Sequence, residues 1–584
     1  MCGIVGIVGR PPDGGDAIRR MVASLRHRGP DDEGVWISED GHLGHTRLAI
    51  LDLSRAGRQP MVGERLVLSY NGEIYNFREL RRGLDVEFGS ETDTEVLLRL
   101  LERDGLAALY RLRGMFAFAA WDPHRRRLIA ARDRLGIKPL FYREIEGGLA
   151  FASEIKALLE LGRPRADLAG LRDFLTYRYI PPPRTGWQGI RKLPPGHTLE
   201  WEDGTLRVER WWAPPDRVDI TDPGVADAEL AAALAAAIPE HTVSDVPVGV
   251  FLSGGIDSAT VASFVAHPRT FTLGQDVQHR SEAAAARRVA AHLGTEHTEE
   301  VAASVNLDDA LDTMPGLYDE PFGDSSAWAV WMVSRMARRH VTVALSGDGG
   351  DEVLCGYQWY SRMFEPPGTS VHRLLASWLP PFGDLARSVQ RRSADGLDRY
   401  ASFVGLFTPP QKAALLGPRL AEAGDDDDLW FYRSIWREDL PPLRRIQWAD
   451  LHGYLPEAML TKVDRASMAH ALEVRPPLLD HRVVEVAFRT DARLLRDVEG
   501  NRGKLPLRRI VEPRLPPGHL DLPKRGFNLP IRRWAAQRAG MVESALDRLA
   551  ETGLIRPLRR PRLKNEQTWA LLVLDRWVTA SGAV

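Results

Sequence analysis

The sequence has 584 residues, 44% of them hydrophobic and 27% charged, and its formal net charge is −2. This length predicts more than one domain, and the near-neutral charge provides no field that would attract nucleic acid or an anionic membrane. No apolar run reaches the roughly 18 residues of a membrane-spanning helix, and Cys2 and Cys355 are too few for a disulfide framework. We therefore expect a cytoplasmic globular protein with no nucleic-acid or membrane partner.

Short β-type segments dominate about the first 205 residues and are separated by Gly, Pro and Asp. Strands are predicted at residues 4–8, 48–51, 66–70, 115–121 and 128–131. Helical periodicity occurs at residues 94–102 and 153–161, so this part predicts sheets flanked by helices. Glu, Asp and Pro then accumulate at residues 202–225 without periodicity, which predicts a linker.

Strands and helices alternate in the next part of the chain. Apolar runs at residues 246–252, 270–273 and 341–345 predict strands, and residues 228–237 and 282–293 predict helices. This alternation is typical of a parallel α/β sheet, in which ligands bind at the carboxyl ends of the strands. Helical patterns dominate from about residue 370 onward.

Cys2 is the first candidate for a catalytic residue. Its small side chain permits removal of Met1, after which Cys2 carries both a thiol and a free α-amine. An α-amine has a pKa of about 7.7–8.0, so it can act as a general base for its own thiol near neutral pH. The alternative is a cysteine without a chemical role on a short buried strand.

A glycine-rich loop, Ser253-Gly254-Gly255-Ile256-Asp257-Ser258, lies between a predicted strand and a predicted helix. Its glycines allow backbone N–H groups to approach phosphate oxygens, and the following helix adds the positive end of its dipole. The serine hydroxyls can donate to the same oxygens, and Asp257 can hold Mg²⁺. The Gly-Lys-Ser/Thr ending of a Walker loop is missing, so the loop resembles those of enzymes that adenylate a substrate and release pyrophosphate. The alternative is a purely structural turn.

Further motifs follow in order along the chain. The first half contains Arg26-His27-Arg28-Gly29-Pro30-Asp31, Thr46-Arg47-Leu48-Ala49-Ile50, Asn71-Gly72-Glu73-Ile74-Tyr75-Asn76, Thr92-Asp93-Thr94-Glu95 and Arg132-Asp133-Arg134-Leu135-Gly136-Ile137-Lys138-Pro139-Leu140. The second half contains Leu345-Ser346-Gly347-Asp348-Gly349-Gly350-Asp351-Glu352, Lys462-Val463-Asp464-Arg465-Ala466-Ser467-Met468-Ala469-His470, Glu473-Val474-Arg475 and Lys524-Arg525-Gly526-Phe527. Together with Cys2 and the glycine-rich loop, these motifs resemble the glutamine-hydrolysing asparagine synthetase family.

The resemblance implies a glutaminase domain in residues 1–210, with the four-layer αββα fold of N-terminal-nucleophile hydrolases. Cys2 would attack the glutamine amide, and the Asn71 side chain with the Gly72 N–H would form the oxyanion hole. Taken in isolation, Asn71-Gly72 is better interpreted as a turn.

The same resemblance implies the residues that bind glutamine. Arg47 would bind the α-carboxylate through its bidentate fork, and Glu73 and Asp93 would accept from the α-ammonium. Leu48 and Ile50 complete the implied site. The alternative for Asp93 is a helix cap.

For residues 211–584 the resemblance implies an ATP-pyrophosphatase-type domain, built on a parallel sheet with a helical extension. The implied ATP site comprises Leu252, Ser253, Gly254, Gly255, Asp257, Ser258, Leu273, Ser346, Gly347 and Lys462. Lys462 would also neutralise charge as pyrophosphate departs, unless it is a surface ion-pair partner of Asp464. Asp257 and Asp351 would bind Mg²⁺, since hard oxygen ligands suit that ion.

The implied reaction joins ammonia from glutamine to a carboxylate adenylated by ATP, and it yields AMP, pyrophosphate and glutamate besides the amide. The β-carboxylate of aspartate is the expected acceptor, and another carboxylic acid is the alternative. Enzymes that share the glutaminase domain but transfer nitrogen to sugar phosphates do not adenylate, so the loop at residues 253–258 argues against that class. A homodimer is a further expectation.

Two departures from the family pattern bear on the acceptor. Asp348, an implied catalytic residue, stands where glutamate often occurs. Residues 325–331 read Ser-Ser-Ala-Trp-Ala-Val-Trp rather than a pattern like Pro-Ser-Ala-Ile-Pro-Thr-Tyr. If this segment lines the acceptor pocket, the acceptor differs from aspartate; if it only packs a helix, the change is neutral.

Ammonia is mostly protonated at pH 7 and is then a poor nucleophile. A water-poor passage between the two sites is therefore expected. Its expected walls are residues 115–121 and the helix that carries residues 467–470, because both are apolar or small and adjoin the catalytic motifs.

Overall fold

The computed structural model describes residues 2–10, 15–275, 281–302, 306–366, 368, 381–424, 427–522, 531–558 and 563–584. The architecture is two-domain α/β, with a pair of antiparallel sheets in the N-terminal domain and a parallel sheet in the C-terminal domain. No helix within these ranges is long and apolar enough to cross a membrane. The motif Lys524-Arg525-Gly526-Phe527 lies outside the described residues.

The N-terminal domain is built on two six-stranded antiparallel sheets. Their strands are β1 (Gly3–Val8), β2 (Asp32–Ile37), β3 (Gly41–Arg47), β4 (Met61–Val62), β5 (Val67–Ile74), β6 (Gly114–Asp122), β7 (Arg127–Arg132), β8 (Phe141–Ile145), β9 (Gly148–Ala152), β10 (Ile190–Lys192), β11 (His197–Glu202) and β12 (Thr205–Arg210). The strand orders are β10-β8-β9-β1-β3-β2 and β12-β11-β7-β6-β5-β4.

Five helices of this domain are α1 (Asp16–Ser24), α2 (Phe77–Arg82), α3 (Asp93–Asp104), α4 (Ile155–Leu159) and α5 (Leu168–Tyr177). Side chains alternate between the two faces of a strand, and β1 shows how this stacks the layers. Ile4 and Val8 pack between the sheets with Trp121, whereas Val5 and Ile7 pack against α1 and α4. Helices α2 and α3 cover the outer face of the second sheet. The layers therefore follow the order αββα, which confirms the expected fold.

The C-terminal domain is built on a five-stranded parallel sheet. Its strands are β13 (Val248–Phe251), β14 (Arg269–Gln275), β15 (Glu296–Ala302), β16 (Val343–Leu345) and β17 (Glu473–Arg475), in the order β15-β14-β13-β16-β17. A small antiparallel pair is formed by β18 (Arg496–Asp497) and β19 (Arg502–Gly503). The parallel α/β sheet predicted from the alternation of strands and helices is confirmed.

Helices surround this sheet and form the remainder of the domain. They are α6 (Pro223–Glu240), α7 (Ile256–Phe264), α8 (Ser281–Leu293), α9 (Leu307–Tyr318), α10 (Ala327–Arg338), α11 (Gly350–Val353), α12 (Trp359–Arg362), α13 (Asp384–Ser393), α14 (Gly396–Val404), α15 (Pro409–Leu415), α16 (Pro418–Ala421), α17 (Trp430–Ile435), α18 (Pro442–Ala449), α19 (Thr461–Met468), α20 (His481–Arg489), α21 (Ala492–Leu495), α22 (Leu505–Val511), α23 (Ile531–Gln537), α24 (Ala539–Glu551) and α25 (Asn565–Ser581). Between α18 and α19 the helix continues through a π-helical segment, Asp450–Leu460. Such wide turns are rare and occur frequently at functional sites.

Two of the local expectations and one of the alternatives were wrong. Residues 48–51 form no strand; they follow β3 and leave the sheet. The expected linker at residues 202–225 contains β12, which pairs with β11, because Thr205–Arg210 alternates well enough to add an edge strand. Asn71-Gly72 is not a turn, since both residues lie within β5 opposite β6.

The two domains are joined by buried ion pairs. Arg28 donates to Glu154 of its own domain over 2.7 Å and to Asp464 of α19 over 2.8 Å. Arg465 donates to Asp319 over 2.6 Å and lies 3.1 Å from Glu154. Two arginines and three carboxylates thus form one network across the interface. Asp464 pairs with Arg28 rather than with Lys462 at the surface, so this alternative for Lys462 is wrong.

Arg475 forms a second buried link between the domains. Its guanidinium donates to Glu473 over 2.6 Å and to Glu73 of β5 over 2.9 Å, while the carbonyls of His241 and Val243 accept its remaining bonds. Burial works to lower the pKa of Arg475, but Glu473 and Glu73 raise it. The side chain is thus a fixed cation between a carboxylate of each domain.

Replacing this cation should destabilise the protein strongly. We expect Arg475→Met to lower the free energy of unfolding by about 3–5 kcal/mol, because the substitution leaves two buried carboxylates without their partner. Denaturant titration against the wild type measures the loss. The matched control is Arg493→Met, which removes an exposed pair with Asp491 and should cost about 1 kcal/mol or less. Equal stability of the two variants would contradict the assignment.

Candidate active sites

The first site is centred on Cys2, which lies immediately before β1. The Cys2 backbone N–H donates to Asn71 Oδ1 over 2.9 Å, so the side-chain amide of Asn71 is oriented by the main chain of the candidate nucleophile. The Asn71 Nδ2 group is buried and has no hydrogen-bond partner among the described residues. A buried donor of this kind is rare in a protein interior and is available to an oxyanion.

The walls of this pocket contain most of the side chains expected to bind glutamine. The lining comprises Cys2, Arg47, Leu48, Ile50, Leu51, Gly57, Gln59, Tyr70, Gly72, Glu73, Thr92, Asp93, Thr94 and Glu473. Gly72 is required by packing, since a Cβ there would collide with the Met115 carbonyl of β6. Leu48 and Ile50 also pack against Val343 and Met468 of the C-terminal domain, so the pocket wall is part of the interface.

Arg47 is oriented by the loop that follows β3. Its guanidinium donates to the carbonyl of Ser54 over 2.7 Å, to that of Leu51 over 3.2 Å and to that of Asp52. These bonds hold the fork at the pocket wall. Burial raises the pKa of the Cys2 thiol, and a hydrogen bond from Leu48 and the charge of Arg47 oppose that effect.

Glu73 and Asp93 form an acidic pair in the pocket. Asp93 accepts from Tyr70 Oη over 2.7 Å and from the Ile74 N–H over 2.9 Å, while the N-cap of α3 is Thr92. Burial raises the pKa of Asp93 to about 6. Burial and the charge of Asp93 hold the pKa of Glu73 well above its ordinary value, against the opposing charge of Arg475. A cation placed between these carboxylates would be strongly favoured.

Glu473 was quoted in a motif, but no role in this pocket was expected for it. It belongs to the C-terminal domain and nevertheless lines the pocket that contains Cys2. Alternation in β17 directs Glu473 and Arg475 to the same side of the sheet, and that signal was available in the sequence. The backbone carbonyl of Arg475 accepts from the Ser346 N–H over 2.9 Å. Arg475 therefore contacts both candidate sites: its side chain binds Glu73 of the first, and its carbonyl accepts from Ser346 of the second.

The second site begins at the glycine-rich loop between β13 and α7. Ser258 Oγ accepts from the Ser253 N–H over 3.1 Å, and Ser253 Oγ accepts from the Gly255 N–H over 3.3 Å. Gly254 has a φ of 77°, a left-handed conformation that glycine adopts freely. The other residues expected in the ATP site lie next to this loop. Leu252 bonds to β14, which carries Leu273, and a Cβ at Gly347 would collide with the Ser258 N–H.

Asp257 and Asp351 converge on the ammonium group of Lys504. Lys504 Nζ lies 2.8 Å from Asp351 Oδ1 and also bonds to Asp257. Mg²⁺ is commonly held by one or two carboxylates together with substrate phosphates, so two carboxylates that share one cation fit this ion. Lys504 was missed by the sequence reasoning, because it follows a turn with no recognisable motif and reaches the site only through the fold.

Lys462 lies in a different part of the same site. Its Nζ donates to Asp324 over 3.1 Å and to Ser326 Oγ over 3.0 Å. Burial raises the pKa of Asp348, and the charge of Lys462 opposes that effect. Lys462 is thus near the Ser346–Asp348 turn, whereas Lys504 is the lysine that contacts Asp257.

The unusual segment at residues 325–331 begins α10. The Trp328 and Trp331 rings stack with centroids 4.4 Å apart, and Trp331 makes an edge contact with His470 at 4.5 Å. Trp328 is buried, and Val330 packs beside Phe271. Its two tryptophans and Val330 therefore take part in helix packing, while Ser326 faces Lys462.

A cavity lies between the two domains. Gly136, Ile137 and Leu140 line it from the N-terminal domain, and Leu460, Thr461 and Asp464 line it from the C-terminal domain. Strand β6, which contains the expected wall at residues 115–121, contributes no residue to this lining. Helix α19, which carries Ser467, contributes Thr461 and Asp464, about one turn or more before the expected residues 467–470.

Comparison with known proteins identifies the family. Residues 1–212 match the family model of a glutamine amidotransferase domain, and residues 229–579 match that of asparagine synthase. The chain is 33% identical over 561 residues to glutamine-hydrolysing asparagine synthetase 1 of Bacillus subtilis, covering 91% of this chain and 88% of that protein. It is 30% identical over 554 residues to asparagine synthetase 3 of the same organism, covering 88% and 85% of the two chains. For asparagine synthetase B of Escherichia coli the identity is 32% over 440 residues, covering 69% and 73%. The chain therefore belongs to the glutamine-hydrolysing asparagine synthetase family, whose members use ATP.

Proposed function

We propose that this protein is a glutamine-dependent asparagine synthetase. Residues 1–210 would hydrolyse glutamine, and residues 211–584 would adenylate the β-carboxylate of aspartate and transfer ammonia to it. The observation that carries the proposal is the pocket in which Cys2 lies beside an unsatisfied Asn71 amide, in the same chain as a Ser-Gly-Gly loop.

In the first half-reaction the Cys2 sulfur attacks the glutamine amide carbon, and the new C–S bond forms while the carbonyl oxygen becomes an oxyanion. Asn71 Nδ2 and the Gly72 N–H donate to that oxygen. After removal of Met1, the Cys2 nitrogen accepts the thiol proton and returns it to the leaving ammonia. Water then cleaves the thioester to glutamate. Arg47 binds the substrate carboxylate, and Glu73 with Asp93 binds its ammonium.

In the second half-reaction an oxygen of the acceptor carboxylate attacks the α-phosphorus of ATP, and pyrophosphate leaves. The Ser253–Ser258 loop and the N-terminus of α7 would receive the phosphates, with Leu252, Leu273, Ser346 and Gly347 along the nucleotide. Lys504 and Lys462 would offset the charge of the departing pyrophosphate. Mg²⁺ would be bound by Asp257 and Asp351 and would neutralise phosphate charge when present. Ammonia then attacks the acyl carbon, and AMP leaves.

The cavity between the domains supports a route for the ammonia. Its walls come from both domains and adjoin the Arg28–Asp464 pair, so the route would be closed to bulk solvent by a buried ion pair. Asp348 is proposed to take the place of the glutamate common in the family, and its charge lies near Lys462.

Because the two half-reactions use separate sites, a substitution in one site should abolish only the activity of that site. Cys2→Ala should abolish glutamine hydrolysis but leave amide synthesis from added ammonium salts, because only the first half-reaction uses the thiol. The measurement compares asparagine formed from glutamine with that formed from ammonium chloride. Cys355→Ala, which removes the other cysteine, is the control and should retain both activities. Loss of ammonia-dependent synthesis in folded Cys2→Ala would contradict the two-site division.

Glutamine affinity should depend on pH through the acidic pair. The substrate ammonium favours charged carboxylates, so the Kd should rise as the pH falls below about 6, the raised pKa of Asp93. Calorimetry with the Cys2→Ala variant measures binding without turnover. Asp93→Asn in that background should weaken binding at neutral pH and flatten the dependence. Asp104→Asn, at the exposed end of α3, should follow the parent profile; a flat parent profile would remove Asp93 from the ammonium site.

The lysines should act only in the second half-reaction. We expect Lys504→Ala and Lys462→Ala each to slow ATP–pyrophosphate exchange by about 10²–10³, since each removes a preorganised cation from the site. Glutaminase turnover of the same variants is the internal control and should persist. Products should be AMP and pyrophosphate; formation of ADP and phosphate would overturn the adenylation mechanism.

A further inference from the structure

Lys504 is placed by its backbone. It lies between β19 and α22 and has a φ of 60°, a left-handed conformation that is uncommon for a residue with a Cβ. Its N–H donates to the Leu354 carbonyl over 3.1 Å. Next to it, a Cβ on Gly503 would collide with the Cys355 carbonyl, so β19 packs directly on residues 354–355. The position of Lys504 is therefore fixed by the main chain, independently of the contacts of its side chain.

The side chain of Lys504 lies between two carboxylates. Its Nζ is 2.8 Å from Asp351 Oδ1 and also bonds to Asp257. The lysine side chain is 3% exposed, and each of the two aspartate side chains is 17% exposed. A Cβ on Gly356 would collide with both the Lys504 Cε and the Asp351 carboxylate, so a glycine is needed for the lysine to reach this position. The contact is thus built into the chain and is not a pairing of surface charges.

The carboxylates bound by Lys504 are those to which we assign Mg²⁺. Asp257 lies in the first turn of α7, and Asp351 lies in the first turn of α11. Mg²⁺ requires oxygen ligands at about 2.0–2.1 Å, and the ammonium group already bonds to an oxygen of each aspartate. At such short range the like charges of the metal and the ammonium repel strongly. Binding of the metal by both aspartates therefore competes with the lysine.

Displacement of Lys504 is unfavourable for the metal alone. A buried ammonium without its carboxylates is unstable, because its desolvation is no longer compensated by an opposite charge. A free metal ion adds a further positive charge and offers the lysine no acceptor. A metal–nucleotide complex brings phosphate oxygens, which accept from the ammonium in place of the carboxylates. The same displacement is therefore resisted for free Mg²⁺ and compensated for Mg²⁺ that arrives with a triphosphate.

We infer that Lys504 excludes free divalent metal from Asp257 and Asp351, so that the metal is admitted only together with the phosphates of a nucleotide. This inference rests on the proposed function and specifies how its ATP site is filled. Lys504 exchanges two carboxylates for phosphate oxygens when the complex binds. Metal and nucleotide then bind cooperatively, and the coupling is reciprocal, since each raises the affinity for the other by the same factor.

The first measurement uses the wild type with MgCl₂ alone. Calorimetry without nucleotide should show no saturable binding of Mg²⁺ in the millimolar range. The nucleotide α,β-methylene-ATP, whose α–β bridge cannot be cleaved to release pyrophosphate, should bind weakly in EDTA and much more tightly with excess Mg²⁺. Saturable binding of Mg²⁺ to the wild type without nucleotide, lost in Asp257→Asn, would overturn the inference even if no Lys504 variant could be purified.

The second measurement uses Lys504→Met, which removes the cation and keeps an unbranched side chain. The variant should bind Mg²⁺ alone about 10- to 100-fold more tightly than the wild type, because the two carboxylates lose their competitor. Adding Asp257→Asn to this variant should abolish the gain, which locates the new affinity at the aspartate pair. A lysine that served only to bind pyrophosphate would leave the affinity for free Mg²⁺ unchanged, and that result in folded Lys504→Met contradicts the inference.

The matched control is Lys412→Met. Lys412 is also a buried lysine, but it pairs with a single carboxylate among the described residues, Asp428, at 2.6 Å. Its replacement should lower the melting temperature without creating affinity for Mg²⁺. Added MgCl₂ should raise the melting temperature of Lys504→Met, because a ligand that binds only the folded chain stabilises it, and should leave that of Lys412→Met and of the wild type unchanged. An equal rise in all three proteins would show non-specific metal binding and refute the inference.

The outcomes also separate this inference from the proposed function, because none of the binding measurements requires turnover. If Mg²⁺ binds to the wild type and to Lys504→Met as expected but aspartate supports no ATP–pyrophosphate exchange, the acceptor is wrong and the role of Lys504 holds. If the wild type catalyses exchange with aspartate but binds free Mg²⁺ as tightly as Lys504→Met does, the role of Lys504 is refuted while the proposed function stands.

Discussion

The arrangement of both sites depends on the cation of Arg475. Its side chain holds Glu73 of the glutamine pocket and Glu473 of the parallel sheet, while its carbonyl accepts from the Ser346 N–H. Burying such an ion pair gives little net stability, because desolvation offsets most of the attraction. Its consequence is positional: β5 and β17 cannot shift relative to each other without leaving a buried charge unpaired. The Ser346–Gly347 turn is therefore joined through the single residue Arg475 to the carboxylate proposed to bind the glutamine ammonium.

The C-terminal domain contributes a residue to the glutamine pocket, so that pocket is not complete in the N-terminal domain alone. Glu473 lines the Cys2 pocket from the C-terminal side, and Leu48 and Ile50 pack against Val343 and Met468. The Arg28–Asp464 and Arg465–Glu154 contacts hold the same interface beside the shared cavity. Substrate binding on one side can thus be felt on the other through packed, discrete contacts rather than through a flexible hinge. The two half-reactions need such coordination, since ammonia released without an adenylated acceptor is lost.

The sequence predicted the parts of the structure that depend on local patterns. The alternation in β1, the helix that begins at Asp93 and the Ser-Gly-Gly loop were all legible, because side-chain period and turn chemistry are local properties. The strand at Thr205–Arg210 was missed because its polar residues face solvent at the edge of a sheet, where composition resembles a linker. Lys504 was missed for a different reason. It lies 247 positions from the aspartate it bonds, and no spacing rule connects them.

The buried arginines of the domain interface and the buried amide of Asn71 differ in how far their hydrogen-bonding capacity is met. Those at the interface are satisfied: Arg28, Arg465 and Arg475 each bind paired carboxylates, and Asp464 is bonded by Arg28. Beside the glutamine pocket, Asn71 Nδ2 remains without a partner among the described residues, although Asn71 Oδ1 accepts from the Cys2 N–H. An unmet hydrogen bond costs free energy in the folded chain, so a fold that served stability alone would remove it. On the proposed function, the unmet Nδ2 donor of Asn71 awaits an oxygen that becomes negative, and the acidic pair of Glu73 and Asp93 awaits the glutamine ammonium.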